Sequence, residues 1–244
     1  MCGRFVLFTS PRELGRVFDA EGPGLEIRPD YNVAPGRSIP VVLARGGSRN
    51  FSLRHWGLVP FWAKDTAIGA RMINARVETL ASKPAFKAAL KARRCLIPAD
   101  GFYEWKGRSG NKQPYYFHAD AGGPLAFAGL YETREDPDAG PYESCTIVTT
   151  AAVGPVSEIH HRMPVILAPA AWAEWLDPDL RDPERAIRLI EAHHRSDRVH
   201  RAVSKQVNNA ARNSPELIVP IEDGPGAATD PTPATEGSDH GRAE

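Results

Sequence analysis

Apolar positions along this chain fall into short runs broken by glycine and proline, and only three stretches carry helical spacing. Ser10-Pro-Arg-Glu13 has the form of a capping box with proline at the first helical position, and Leu14, Val17 and Phe18 follow on one face. A loop rich in glycine and proline then ends in Tyr31-Asn-Val-Ala-Pro-Gly36. Ile39–Leu43 and Phe51–Leu58 are predicted strands around the Gly46-Gly47 turn. A short helix is predicted over Phe86–Lys91, after Pro84. Cys95–Ile97, Pro114–His118, Pro124–Tyr131 and Glu143–Thr149 read as strands, and Val165–Leu167 as one more short apolar run. Asp182-Pro183 caps a last helix to about His193, with Ile187, Leu189 and Ile190 giving it a rough apolar face. No repeat and no βαβ rhythm is present. The pattern predicts an α+β fold: a single domain over 1–220 with a largely antiparallel, barrel-like β core and a few peripheral helices.

Composition narrows the class. Apolar residues make up 42% and charged residues 25% of the 244, as expected of a soluble globular chain. No apolar run approaches the roughly 18 residues of a membrane span, and no basic-then-apolar leader opens the sequence, so a cytoplasmic protein is expected. Formal net charge is zero, but it is unevenly spread. Residues 221–244 hold six acidic side chains against one basic, leaving 29 basic and 24 acidic in the body. That acidic segment lacks apolar periodicity and is expected to be disordered. The mildly basic body permits nucleic-acid binding without requiring it.

Three cysteines, Cys2, Cys95 and Cys145, show no CxxC spacing. Cys95 and Cys145 lie in apolar runs and read as buried, inert thiols of a reducing compartment. Cys2 differs. Removal of Met1 would leave it at the N-terminus with an α-amine and a thiol on adjacent carbons. An α-amine has a pKa of about 7.7–8.0 against about 10.4 for lysine, so about a quarter to 40% is neutral at pH 7.5. Neutral amine attacks an aldehyde to give an imine, and the neighbouring thiol closes on it as a five-membered thiazolidine.

Polar and aromatic residues concentrate in four further segments: Trp56-Gly-Leu-Val-Pro-Phe-Trp-Ala-Lys64, Ile73-Asn-Ala-Arg-Val-Glu78, Ile97-Pro-Ala-Asp-Gly-Phe-Tyr-Glu-Trp-Lys106 and His160-His-Arg-Met-Pro164. Glu104 stands among Phe102, Tyr103 and Trp105, a setting that raises a carboxyl pKa. Each residue also has a plain structural reading. Glu104 fits a surface salt bridge, Asn74 a turn cap, His160 and His161 the surface, like His193 and His194, and the tryptophans the core. No metal-ligand spacing, phosphate loop or Gly-x-Ser-x-Gly elbow is present, so no metal or cofactor is expected. Spacing alone does not gather these segments into one site.

Met-Cys-Gly-Arg-Phe, Tyr31-Asn-Val-Ala-Pro, Trp56-Gly-Leu-Val-Pro-x-Trp-Ala and Asn74-Ala-Arg-x-Glu-Thr occur in the order seen in the SOS-response-associated peptidase (SRAP) family. So do Cys95-Leu-Ile-Pro-Ala-Asp-Gly-Phe-Tyr-Glu-Trp, Ala128-Gly-Leu-Tyr-Glu, Thr146-Ile-Val-Thr-Thr, His160-x-Arg-Met-Pro and Val203-Ser-x-x-Val-Asn. The chain resembles that family from residue 2 to about Pro220. His161 departs from the pattern, where an acidic residue is more usual. Members are abasic-site-processing proteins that shield single-stranded DNA by covalent attachment. The resemblance implies that Cys2 is the nucleophile, with Asn74, Glu104 and His160 around it. It also implies that Arg4, Arg76 and Arg162 contact the DNA backbone and that Trp62 and Trp105 lie near the bases. The implied partner is single-stranded DNA containing abasic sites, bound by a monomer with no membrane attachment, near the nucleoid during DNA damage. The proton steps of Glu104 and His160 are not assigned by sequence. Two other classes stay open: a cysteine peptidase using Cys2, including autocatalytic removal of Met1, and a plain single-strand binder.

Overall fold

A computed structural model describes residues 2–22, 26–108, 110–135 and 140–221. Of the acidic segment predicted to be disordered, residues 222–244 lie outside the described residues. Among the described residues the strands and helices are, in chain order, β1 (Phe5–Leu7), α1 (Pro11–Phe18), β2 (Ala20–Glu21), β3 (Asp30–Val33), β4 (Ser38–Arg45), β5 (Ser48–Trp56) and β6 (Asn74–Arg76). There follow α2 (Pro84–Ala92), β7 (Arg94–Ala99), β8 (Gly101–Lys106), β9 (Gln113–His118), β10 (Leu125–Arg134) and β11 (Tyr142–Ala151). The last are β12 (Arg162–Pro164), α3 (Pro169–Leu176), α4 (Pro183–His193) and β13 (Val199–Ala202). Short 3-10 turns occupy several of the connections, including Gly154–Glu158 and Lys205–Asn208.

Five strands close into a barrel. β4 pairs antiparallel with β5 and β7, β7 with β10, and β10 with β11. β11 returns to β5 through a short parallel pairing, Ser144 opposite His55 and Cys145 opposite Trp56. β6 extends the parallel edge of β11, with Asn74 opposite Ile147. A second, antiparallel sheet runs β13-β9-β8-β1-β3. Its aromatic side chains meet the barrel: Phe5 lies 5.2 Å from Trp56 and 6.1 Å from Phe127, and Phe102 lies 6.1 Å from Phe127. The predicted α+β architecture with a barrel-like core is the observed one.

The local signals explain several elements. Gly46 and Gly47 both take positive φ, 59° and 83°, the two-residue turn whose twist suits a β-hairpin, and Arg45 faces Ser48 across it. The Ser10 hydroxyl accepts from the Glu13 N–H at 3.3 Å, and the Asp182 carboxylate accepts from the Glu184 N–H at 2.9 Å. β5 stops at Trp56, short of the predicted Leu58. Gly57, at φ 144°, turns the chain away and lies so close to Gly69 that a Cβ would stand 2.8 Å from the Gly69 carbonyl.

Other expectations are corrected. α3 was not expected, because no side chain caps it; it is held by packing, with Trp175 buried and Trp172 stacked 4.7 Å from Phe18. Val165–Leu167 forms only isolated bridges, Ile166 to Phe127 and Leu167 to His194. His194 is no surface residue: its Nδ1 accepts from the Ile166 N–H at 3.1 Å, and burial lowers its pKa. Cys95 and Cys145 are buried as expected, and burial pushes both thiols up.

Candidate active site

β1 brings the second residue into the fold. It lies between β3 and β8, with Phe5 opposite both Val33 and Phe102, and the Arg4 carbonyl accepts from the Tyr103 N–H at 3.0 Å. β8 itself begins at a glycine by necessity, since a Cβ on Gly101 would stand 2.4 Å from the Phe117 carbonyl. Cys2 is fully buried. From the barrel side, β6 presents Asn74, whose amide Nδ2 donates to the Cys2 carbonyl at 2.8 Å. Asn74 thus ties the barrel to the N-terminal segment rather than capping a turn. Its Oδ1 is buried and accepts nothing among the described residues.

Glu104 sits on β8 and is only 2% exposed, so it is no surface salt-bridge residue. Burial pushes its carboxyl up to about 7, with the positive charges of the amino terminus and Lys112 acting against that rise. The Cys2 thiol is pushed well above its ordinary value, first by burial and then by the charge of Glu104. His160 Nδ1 lies 3.8 Å from Glu104 Oε2. The same nitrogen lies 3.0 Å from both the N–H and the carbonyl of Arg162. It can therefore accept from one when neutral and donate to the other when protonated, keeping a partner in either state. Burial lowers the His160 pKa, and its ring stacks on His161 at 4.4 Å. Cys2, Asn74, Glu104 and His160, drawn from four distant segments, form one connected group.

Two members of the group, Glu104 and His160, open on a cleft of about 480 Å³ that is also lined by Trp105, Asn111, Lys112 and Lys205, while Cys2 lies buried behind them. The Trp105 indole donates to Asn208 Oδ1 at 2.8 Å, and Lys205 Nζ donates to Asn111 Oδ1 at 2.8 Å. Sequence reasoning missed both lysines and both asparagines. Lys205 and Asn208 lie within the Val203-Ser-x-x-Val-Asn motif, so a signal existed. Lys112 sits in an ordinary polar turn and had none.

The three arginines have different surroundings. Arg162 makes a two-pronged pair with Glu78, at 2.5 and 3.0 Å, and donates to the Thr149 carbonyl at 2.7 Å. Arg4 donates to Asn32 Oδ1 at 2.6 Å and to the Val207 carbonyl at 2.9 Å. Arg76 is exposed, and its guanidinium has no hydrogen-bond partner among the described residues. Phe61 and Trp62 are 57% and 50% exposed and adjacent, whereas Trp56 is core and donates to the Ile73 carbonyl. Among the described residues no three His, Cys, Asp or Glu side chains are placed to hold a metal ion, and no helix is long and apolar enough to cross a membrane.

A closed barrel with a buried second-residue cysteine just ahead of β1, an asparagine tether and an acid–imidazole pair defines a distinct class of site. The chain belongs to the SOS response associated peptidase (SRAP) family, whose profile matches residues 1–210. It is 42% identical over 221 residues to the abasic site processing protein YoqW of Bacillus subtilis (strain 168), covering 89% of this chain and 99% of that one. It is 36% identical to the abasic site processing protein HMCES of Gallus gallus, covering 80% of this chain and 67% of that one. The fold matches a crystal structure from Bacteroides thetaiotaomicron with a TM-score of 0.80 at 23% identity, over 90% of this chain and 100% of that one. It also matches a phage-related protein of Bordetella bronchiseptica, with a TM-score of 0.67 at 31% identity, over 84% and 95% of the two chains.

Proposed function

We propose that this protein, once Met1 is removed, links Cys2 covalently to abasic sites in single-stranded DNA and so shields the lesion. The observation that carries the reading is the Asn74 tether, which holds residue 2 against a buried acid in a family whose named relatives are abasic site processing proteins. Asn74 uses Nδ2 on the Cys2 carbonyl, and its unfilled Oδ1 suits an N–H of the freed α-amine.

Protonated Glu104 helps open the closed sugar to its aldehyde, and the neutral amine adds to C1′ to give a carbinolamine. Glu104 then gives its proton to the departing hydroxyl, water leaves, and a protonated imine remains opposite the Glu104 carboxylate. Cys2 Sγ closes on C1′ while its proton returns to Glu104, directly or through His160. One water is lost and a thiazolidine is formed. A carboxyl near 7 is half protonated at neutral pH, which suits both donation and recovery of the proton. A peptidase built on Cys2 needs a thiolate early. Burial and Glu104 both oppose it, whereas the imine route needs the thiol only at closure.

Single-stranded DNA suits the exposed face. Phe61 and Trp62 offer stacking surfaces worth about 1–3 kcal/mol per base, available only to unpaired bases. The test is incubation with an abasic oligonucleotide. The wild type should give a species that survives denaturing electrophoresis and has the summed mass less one water. Cys2→Ala should give none without borohydride, because only the reversible imine remains. A stable unreduced adduct in Cys2→Ala, or an adduct of a chain retaining Met1, would overturn the reading.

A further inference from the structure

We propose that Lys112 is a positioning residue for the Glu104–His160 pair, its charge offered at the cleft they share from a backbone position tied on both sides to the 203–205 segment. The site is the one assigned above, but this inference rests on that function only for its kinetic arm. Lys112 shares the cleft with Glu104 and His160. It lies in the turn between β8 and β9, just beyond the point where Lys106 faces Gln113. The residues on either side of it are anchored. Asn111 Oδ1 accepts from Lys205 Nζ at 2.8 Å, and the Gln113 amide donates to the Val203 carbonyl at 2.8 Å. The Val203 N–H in turn donates to the Pro114 carbonyl at 3.1 Å. Lys112 itself makes no hydrogen bond or ion pair among the described residues. The fold thus fixes the backbone of a lysine whose charge is not spent on a protein partner.

The charge reaches both members of the pair. Lys112 opposes the burial-driven rise of Glu104 and adds to the lowering of His160. Glu104 in turn acts on Cys2, which precedes β1, and Tyr115 stands opposite Glu104 on β9. His160 and His161 approach from the turn before β12, and Lys205 stands across the cleft. Among these groups Lys112 is the side-chain cation whose field Glu104 feels. Its role is to keep a buried carboxyl from holding its proton too tightly, so that the acid can be regenerated near neutral pH. Because Lys112 is exposed, its influence weakens as salt screens it.

The test is carboxyl-carbon and imidazole NMR titration of the full chain without DNA, in Lys112→Met and Lys112→Arg. The Glu104 and His160 midpoints should both rise in Lys112→Met, by about 0.3 unit or more at low salt, and return close to wild type in Lys112→Arg. The alkaline fall of the single-turnover crosslinking rate should move up with Glu104 in Lys112→Met. Unmoved midpoints in Lys112→Met, or equal displacement in both variants, would overturn the proposal. A wild type that never crosslinks would sink the function proposed above and leave the titration result standing.

Discussion

Asp100 and Glu104 are buried carboxylates four residues apart, one just before β8 and one within it, and the fold uses them in opposite ways. Asp100 accepts from the Phe8 N–H at 2.5 Å, the Thr9 N–H at 2.8 Å and the Thr9 hydroxyl. Its own N–H donates to the Val6 carbonyl at 2.7 Å, so it fastens the segment that leads from β1 into α1. Glu104 instead meets an imidazole at 3.8 Å, a buried thiol and an open cleft. The carboxyl group and its burial are shared. Fixed backbone donors make the first a structural clamp, whereas the second has titratable neighbours and is the group to which the proposed function gives the proton transfers.

The largest expected effect separates the two by rate. Glu104→Gln should slow single-turnover crosslinking by about 10²–10⁴-fold, the usual cost of losing one general acid–base group. A rate within twofold of wild type would erase the distinction. The same variant should be more stable than wild type at high pH. The folded-state pKa of about 7 lies above the ordinary 4.5, so folding favours the protonated form. That contribution is full below about pH 4.5 and is lost as pH rises through 7, amounting to about 3 kcal/mol by pH 8. Urea unfolding of Glu104→Gln should therefore show a gain at pH 8 that vanishes at pH 4.

Asp100→Ala should show the reverse pattern. Removing an acceptor shared by three donors should cost about 2–3 kcal/mol of stability in urea unfolding, with the crosslinking rate of the folded fraction within about threefold of wild type. A rate loss matching that of Glu104→Gln would merge the two carboxylates into one functional unit.

The smallest expected effect applies the same contrast to the arginines. Three backbone contacts would give single-stranded DNA a salt slope of roughly −2. With Arg162 committed to Glu78 and Thr149, Arg162→Ala should lower stability and leave the slope nearly unchanged. Arg76→Ala should reduce the slope by about 0.7 without a stability loss. The opposite assignment in salt titrations would make Arg162 the DNA contact.

Local chemistry was legible in the sequence wherever it is written within a few residues. The Ser10 N-cap, the Gly46-Gly47 hairpin and the Asp182 cap stand as read, although Glu13 pairs with Arg16 and does not close the capping box onto Ser10. Elements built by distant partners were not. β1 is three residues long and exists because residues 30–33 and 101–106 flank it, while α3 exists because Trp172 finds Phe18. The site residues carried their types openly, and Glu104 among aromatics correctly signalled a raised carboxyl pKa. Their assembly came only with the family resemblance, since the Asn74–Cys2 contact spans 72 residues and the Arg162–Glu78 pair spans 84.

The position of β1 also sets a schedule. Phe5 is covered only when Phe102 has been made and β8 has paired beside it. At synthesis rates of about 5–20 residues per second, the strand that seals residue 2 is translated about 5–20 s after the N-terminus. During that interval the first residues lack their final partner, and the chain end is open to any processing enzyme. Trimming of Met1, which the proposed function requires, is therefore easiest before β8 closes over the buried Cys2.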